Sequence, residues 1–209
     1  MNALVPQSRT LDVWMEQTHV GQLRAQNNLW SLVYTKAWSE QGFDLSPELP
    51  RAQVEHLDGA TRRPVQWFFD NLLPEEGARI LLARDAGISE ADAFGLLERF
   101  GPESAGALTL LSPGQSLPQP GLRALSNEQL SERIRNLPRI PLDHAAPKRM
   151  SLAGAQHKLP VVMQGNELFE PEGRASSTHL LKPDHERVDD YAHSAINEWF
   201  CMRLAADCG

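Results

Sequence analysis

Residues 112–121 read Ser-Pro-Gly-Gln-Ser-Leu-Pro-Gln-Pro-Gly, with three prolines, two serines and two glycines in ten positions. Proline removes backbone donors and glycine adds freedom, so this stretch cannot hold regular structure and reads as a linker. It divides the chain at 1–111, 112–121 and 122–209, and each flanking part must bury an apolar face of its own. With 209 residues, 41% of them hydrophobic and 22% charged, there is enough material for one or two folded domains and little reason to expect disorder.

Before the linker, Leu11, Val13 and Met15 alternate with Asp12, Trp14 and Glu16. Two further apolar runs, 20–23 and 29–34, follow. Period-2 alternation over short runs predicts a small antiparallel meander. Val65, Phe68, Phe69 and Leu72 then recur at helical spacing. Helices are expected over 75–86, closed by Gly87, and over 89–100, with Ser89 as cap, Asp92 at its third position and Gly101 at its end. Residues 108–111 read as a strand.

After the linker, Ser126 and Gln129 form a capping-box pattern ahead of Leu130, Ile134 and Leu137. An apolar run at 159–163, a Gly165-Asn166 turn and a second run at 167–169 predict a hairpin. Residues 178–182 predict a strand ending in Lys182 before Pro183, and 190–207 a long helix stopped by Gly209. The fold class expected is α+β: a small antiparallel sheet with packed helices, followed by a second unit of hairpin, strand and helix.

The chemistry narrows by exclusion. A net charge of −7 argues against the whole chain binding nucleic acid, although seven Lys or Arg against three Asp or Glu between residues 122 and 160 leave that stretch at +4. A solvated basic face and an anionic ligand explain that balance equally well. His144, His157, His179, His185 and His193 show no metal-ligand spacing, so no metal site is expected from this chain. No serine sits in a nucleophile-elbow pattern, and Asp189 and Asp190 fit a helix dipole better than paired-carboxylate catalysis. Cys201 and Cys208 lie too far apart along a helix for a disulfide and are expected to be reduced and structural. No apolar run reaches membrane length and no leader pattern opens the chain, which points to a cytoplasmic protein without a membrane partner.

What remains is an order: small-residue loop, hairpin, strand with a terminal lysine, then helix. Phosphoryl transfer needs those parts, because backbone amides cradle phosphates, a lysine neutralises them and a helix glutamate holds the lysine. Ser151, Leu152, Ala153, Gly154, Ala155, Gln156, His157 and Lys158 supply the small residues, although an ordinary turn before a strand would look similar. A lysine that merely blunts a strand edge would look like Lys182. Glu198 is flanked at helical spacing by Tyr191, Ser194, Ala195, Cys201, Met202 and Ala205, so it is expected to be a buried carboxylate that needs a partner, and Lys182 is the natural one.

Residues 68–74 (Phe-Phe-Asp-Asn-Leu-Leu-Pro), 106–110 (Gly-Ala-Leu-Thr-Leu), 151–158 and the Asn197-Glu198 pair followed by aromatics resemble signatures of the HipA family of serine/threonine protein kinases, in order and over nearly the whole chain. The resemblance implies the kinase toxin of a type II toxin–antitoxin system, linked to persistence. Such a toxin is restrained by a HipB-like helix-turn-helix antitoxin through which DNA is met indirectly. It phosphorylates an aminoacyl-tRNA synthetase such as the glutamyl enzyme. It also implies Ser151 as an autophosphorylation site and Ala153, Gly154, Ala155, Gln156, His157, Lys158 and Lys182 as ATP contacts, with Glu198 orienting the lysine. His157 departs from the acidic residue expected there. The family's catalytic Asp and magnesium ligands belong to a later part of the kinase, so the isolated chain is expected to be inactive. Three classes stay open: part of an active kinase, a catalytically dead regulatory or antitoxin-binding module, and a plain interaction domain.

Overall fold

The computed structural model describes residues 8–103, 107–137, 139, 140, 142, 146, 157–185 and 189–209. Strands β1 (Arg9–Met15), β2 (Thr18–Gln26) and β3 (Leu29–Tyr34) form the expected meander. Helix α1 (Lys36–Gln41) and a three-residue strand β4 (Glu55–Leu57) follow; neither is foreseen in the sequence. Helices α2 (Pro64–Asp70), α3 (Glu76–Ala86) and α4 (Ala93–Phe100) precede β5 (Leu108–Leu111), which returns to pair antiparallel with β1. The sheet order is β4-β3-β2-β1-β5.

Alternation along β1 decides which face the helices cover. Leu11 and Val13 are fully buried, and so are Leu23 and Leu32 on the neighbouring strands, whereas Asp12 and Trp14 lie on the other face. Against them pack Val65, Phe69 and Leu73 from the α2 region and Leu96, Leu97 and Phe100 from α4. The Trp30 and Phe94 rings meet edge to face at 5.1 Å. Each fully buried aliphatic or aromatic side chain contributes about 1.5–3 kcal/mol. Strand β1 carries a bulge between Val13 and Trp14, and β2 and β3 come close at Gly21, where a Cβ would stand 2.2 Å from the Val33 carbonyl oxygen. Only glycine fits there.

One helix start differs from expectation, and another is capped from outside its own helix. Asp92 is the cap of α4, accepting from the Gly95 amide at 2.9 Å, so the helix begins at Ala93 rather than near Ser89. A carboxylate three residues ahead of a free amide captures it better than the serine farther upstream. Helix α2 has no capping side chain of its own; the Asp58 carboxylate accepts from Val65 and Gln66 instead, at 2.9 and 3.1 Å. Burial pushes the Asp58 carboxyl up despite these amides. A carboxyl that holds its proton more tightly folded than unfolded favours the fold at low pH, and that contribution is lost as pH rises through the folded value. The stability of wild type relative to Asp58→Asn is therefore expected to be highest near about pH 3 and to fall as pH rises above the ordinary carboxylate range, read by urea unfolding at each pH.

Beyond residues 112–120, which hold no regular element, β6 (Gly121–Leu125), α5 (Asn127–Arg135), β7 (Leu159–Gln164), β8 (Glu167–Glu172) and β9 (His179–Leu181) build a second antiparallel sheet in the order β6-β8-β7-β9. Strand β6 begins on the last residue of the stretch read as linker. The capping box forms as expected, with Ser126 and Gln129 bonding each other's backbone amides at 3.2 and 3.0 Å. Leu125, Leu142, Ala146, Leu159 and Val161 make a separate core. Buried beside it, Glu170 accepts from Arg123 on β6 and from Arg133 on α5.

The last helix, α6 (Ser194–Cys208), starts four residues later than the sequence suggests. Ile196, Trp199, Phe200, Met202 and Leu204 on it are all more than half exposed, at 52–68%. Cys201 and Cys208 are free and exposed, so neither fills the structural place in a core expected of it.

Candidate functional site

The edge of the second sheet gathers the charges. Leu159 pairs with Leu181 in the β7–β9 ladder, so continuing the register outward by one residue sets Lys158 across from Lys182. Both lysines sit where their strands leave the sheet, at the end nearest α6.

Helix α6 is held against that end by a small knot. Its first residue follows His193 in the left-handed conformation, φ 55°. The Asp184 Oδ1 accepts from the Ala195 amide at 2.9 Å, and the Ser194 hydroxyl accepts from the His185 amide at 2.8 Å. Asp184, two residues past Lys182, thus caps a helix that begins ten residues later, while Asp189 and Asp190 lie before it; the local capping rule cannot see a cap supplied from that distance. Ser194 and Glu198 are one turn apart, on the same side of the helix, and this side faces the strand end.

The consequence is a bidentate ion pair: Lys182 Nζ lies 2.7 Å from Oε1 and 2.6 Å from Oε2 of Glu198. The Glu198 side chain is 47% exposed and that of Lys182 26%, so the carboxylate is not buried as its helical neighbours suggest. Of those neighbours Tyr191, Cys201, Met202 and Ala205 are themselves exposed and Ser194 and Ala195 half-buried, so nothing covers the carboxylate. An ion pair this wet adds at most about 1 kcal/mol to stability.

Lys158, like Lys182, is half-buried. Burial lowers its pKa, and the nearby Lys182 lowers it further, while Glu75 and Glu198 oppose the shift. A lysine beside a like charge and partly desolvated is a good seat for an anion, because bound negative charge relieves both penalties. Of the other residues expected at the site, His157 precedes Lys158 at the foot of β7, whereas Ser151, Ala153, Gly154, Ala155 and Gln156 lie outside the described residues. Among the described residues no group of three or more His, Cys, Asp or Glu could hold a metal ion, and no helix is long and apolar enough to cross a membrane.

Two family models match in chain order: the HipA N-terminal domain over residues 11–111 and the HipA-like C-terminal domain over residues 150–209. The chain belongs to the HipA family. It is 34% identical over 204 residues to the serine/threonine-protein kinase toxin HipA of Shewanella oneidensis, covering 96% of this chain and 45% of that protein. It is 36% identical over 211 residues to protein Y4mE of Sinorhizobium fredii, covering 96% of this chain and 49% of that one. The solved structure of Shewanella oneidensis HipA in complex with HipB and operator DNA superposes with a TM-score of 0.72 at 32% identity, over 94% of this chain and 44% of that one. The chain thus spans less than half the length of these HipA-family relatives, and its two-sheet α+β architecture matches that of the solved one.

Proposed function

We propose that this chain is the nucleotide-binding N-terminal portion of a HipA-like serine/threonine protein kinase toxin, with residues 1–111 as its N-terminal subdomain, 112–121 as a linker and 122–209 as the start of the kinase small lobe. The observation that carries this reading is the Lys182–Glu198 pair, made between a strand end and the following helix as kinase chemistry requires. In this reading Lys182 and Lys158 hold phosphate oxygens of ATP, Glu198 keeps Lys182 extended toward them, and the backbone amides of residues 153–158 complete the cradle. ATP supplies the phosphoryl group, and its Mg²⁺ ligands are expected from a later part of the kinase. Charge neutralisation and positioning are what these residues can do; the group that takes the acceptor's proton is not among them.

For the complete kinase, the acceptor is proposed to be a serine of an aminoacyl-tRNA synthetase such as the glutamyl enzyme, with Ser151 as a site of autophosphorylation. A HipB-like antitoxin is the proposed partner, in a cytoplasmic toxin–antitoxin pair. The antitoxin-binding reading has its own support in Trp67, which is 54% exposed on α2 although Trp30 and Trp38 are buried. Exposed tryptophan is a common anchor at protein interfaces.

Calorimetric titration with MgATP tests the first part: one saturable site is expected, and no heat at millimolar ATP would sink it. For the second, removing residues 1–111 from a complete toxin should weaken its antitoxin complex at least about tenfold. Unchanged affinity would move the antitoxin surface to the kinase lobes.

A further inference from the structure

Helix α6 has no packing that fixes its rotation about its own axis. Ile196, Trp199, Phe200, Met202 and Leu204 are distributed around the helix and all of them are exposed, and no residue of α6 is buried, so no core face chooses which side meets the second sheet. The Lys182–Glu198 pair cannot choose it either, because a wet ion pair between two long side chains tolerates many geometries. Slipping the helix by one residue would swing Glu198 by about 100° away from the strand end. The rotation must be set by directed bonds.

Those bonds lie in the first turn. His193, just before the helix, has φ 55° and its side chain makes no capping bond. Asp184 reaches in instead, accepting from the Ala195 amide at 2.9 Å. The Ser194 hydroxyl is engaged in both directions, accepting from the His185 amide at 2.8 Å and donating to Asp184 Oδ1 at 3.4 Å. Asp184 follows Lys182 by two residues, and Pro183 between them has its φ fixed by the ring. Glu198 follows Ser194 by one helical turn. The result is a closed ring: Lys182, Pro183, Asp184, the Ala195 amide, one turn of α6, and Glu198 back on Lys182 at 2.7 and 2.6 Å. Two short, stiff arms run from the knot to the two charges, so the knot decides how the charges meet.

We propose that Asp184 and Ser194 are positioning residues: their bonds set the rotation of α6 that lays Glu198 on Lys182, and through it the direction in which the Lys182 ammonium faces bound phosphates. The effect on a ligand rests on the nucleotide reading of Lys182. Asp184 acts here as a hydrogen-bond acceptor, and Asn, which keeps a carbonyl oxygen for the Ala195 amide, caps helices about as well as Asp. A direct electrostatic role on a nucleotide or its Mg²⁺ would instead need the carboxylate charge.

The test uses the whole chain and calorimetric titration with MgATP. Asp184→Ala is expected to weaken binding about five- to tenfold, whereas Asp184→Asn should stay within about twofold of wild type. Ser194→Ala, which leaves the Ala195 amide capped, should lose about two- to fivefold. In a Glu198→Gln background Asp184→Ala should cost little more, because nothing is left to position. The ion pair is read separately, without nucleotide, from the ¹H–¹⁵N NMR signal of the Lys182 ammonium, assigned by its loss in Lys182→Arg. That signal is expected in wild type and Asp184→Asn and should be lost to solvent exchange in Asp184→Ala and Glu198→Gln. Wild-type affinity or an undiminished Lys182 signal in Asp184→Ala overturns the positioning role. So does an Asn variant as weak as the Ala one, which would make the charge the active feature, or a full additional loss in the Glu198→Gln background. Loss of the Lys182 signal in Asp184→Ala, with no MgATP binding by the wild type, keeps the positioning role and overturns the nucleotide reading.

Discussion

Glu170→Ala is expected to destabilise the second sheet by about 3–5 kcal/mol, the largest loss from any single charged residue among those described. The Glu170 side chain is 2% exposed and accepts from Arg123 Nη2 at 2.8 Å and Arg133 Nη1 at 2.6 Å. Arg123 sits on β6, Glu170 on β8 and Arg133 on α5, so one carboxylate ties the edge strand and the helix to the hairpin. Removing it leaves the Arg133 guanidinium, itself only 15% exposed, as an unpaired charge. That uncompensated charge, rather than the lost attraction, sets the size of the effect. Glu170→Gln should cost less, since its carbonyl oxygen still accepts from one arginine. Chemical denaturation followed by far-ultraviolet circular dichroism measures both, and a loss below about 1 kcal/mol for Glu170→Ala would mean that both arginines rehydrate freely.

Lys182→Ala is expected to do the opposite: little to the fold and much to binding. Its partner Glu198 is nearly half exposed, so water replaces the lysine and stability should fall by no more than about 1 kcal/mol. Nucleotide affinity should fall at least about tenfold, because a charge-assisted contact to phosphate is lost and Glu198 then repels the ligand. The contrast with Glu170 follows from exposure: a buried pair is costly to break, whereas a wet pair is retained for what it can bind. Equal affinity for ATP in wild type and Lys182→Ala, with an intact circular dichroism spectrum, would remove Lys182 from the site.

Much of this was legible in the sequence because local rules governed it. The 9–34 meander follows from alternation, α5 from its Ser126–Gln129 box, the β7–β8 hairpin from the Gly165-Asn166 turn, and the 16-residue reach from Lys182 to Glu198 from a strand-to-helix order. What escaped were devices that act at a distance. Asp58 caps α2 and Asp184 caps α6 from outside those helices, and β4 is held to β3 by pairing that its own three residues do not announce. Glu198 reads as buried in the sequence and is not, because periodicity tells which residues share a helix face, not whether anything covers it; α6 is apolar and exposed all the same.

The central claim, that the end of the second sheet beside α6 seats the phosphates of ATP, is most directly tested with an acyl-phosphate derivative of ATP, which transfers a tag to any amine lying against its phosphate chain. Only four lysines compete for it, and Lys36, on a helix of the first unit, is an internal control. Mass spectrometry of the digested protein should find the tag on Lys182 and Lys158, abolished by excess ATP, with Lys36 labelled weakly and without regard to ATP. Tagging spread evenly over all four lysines, and indifferent to ATP, would contradict the account.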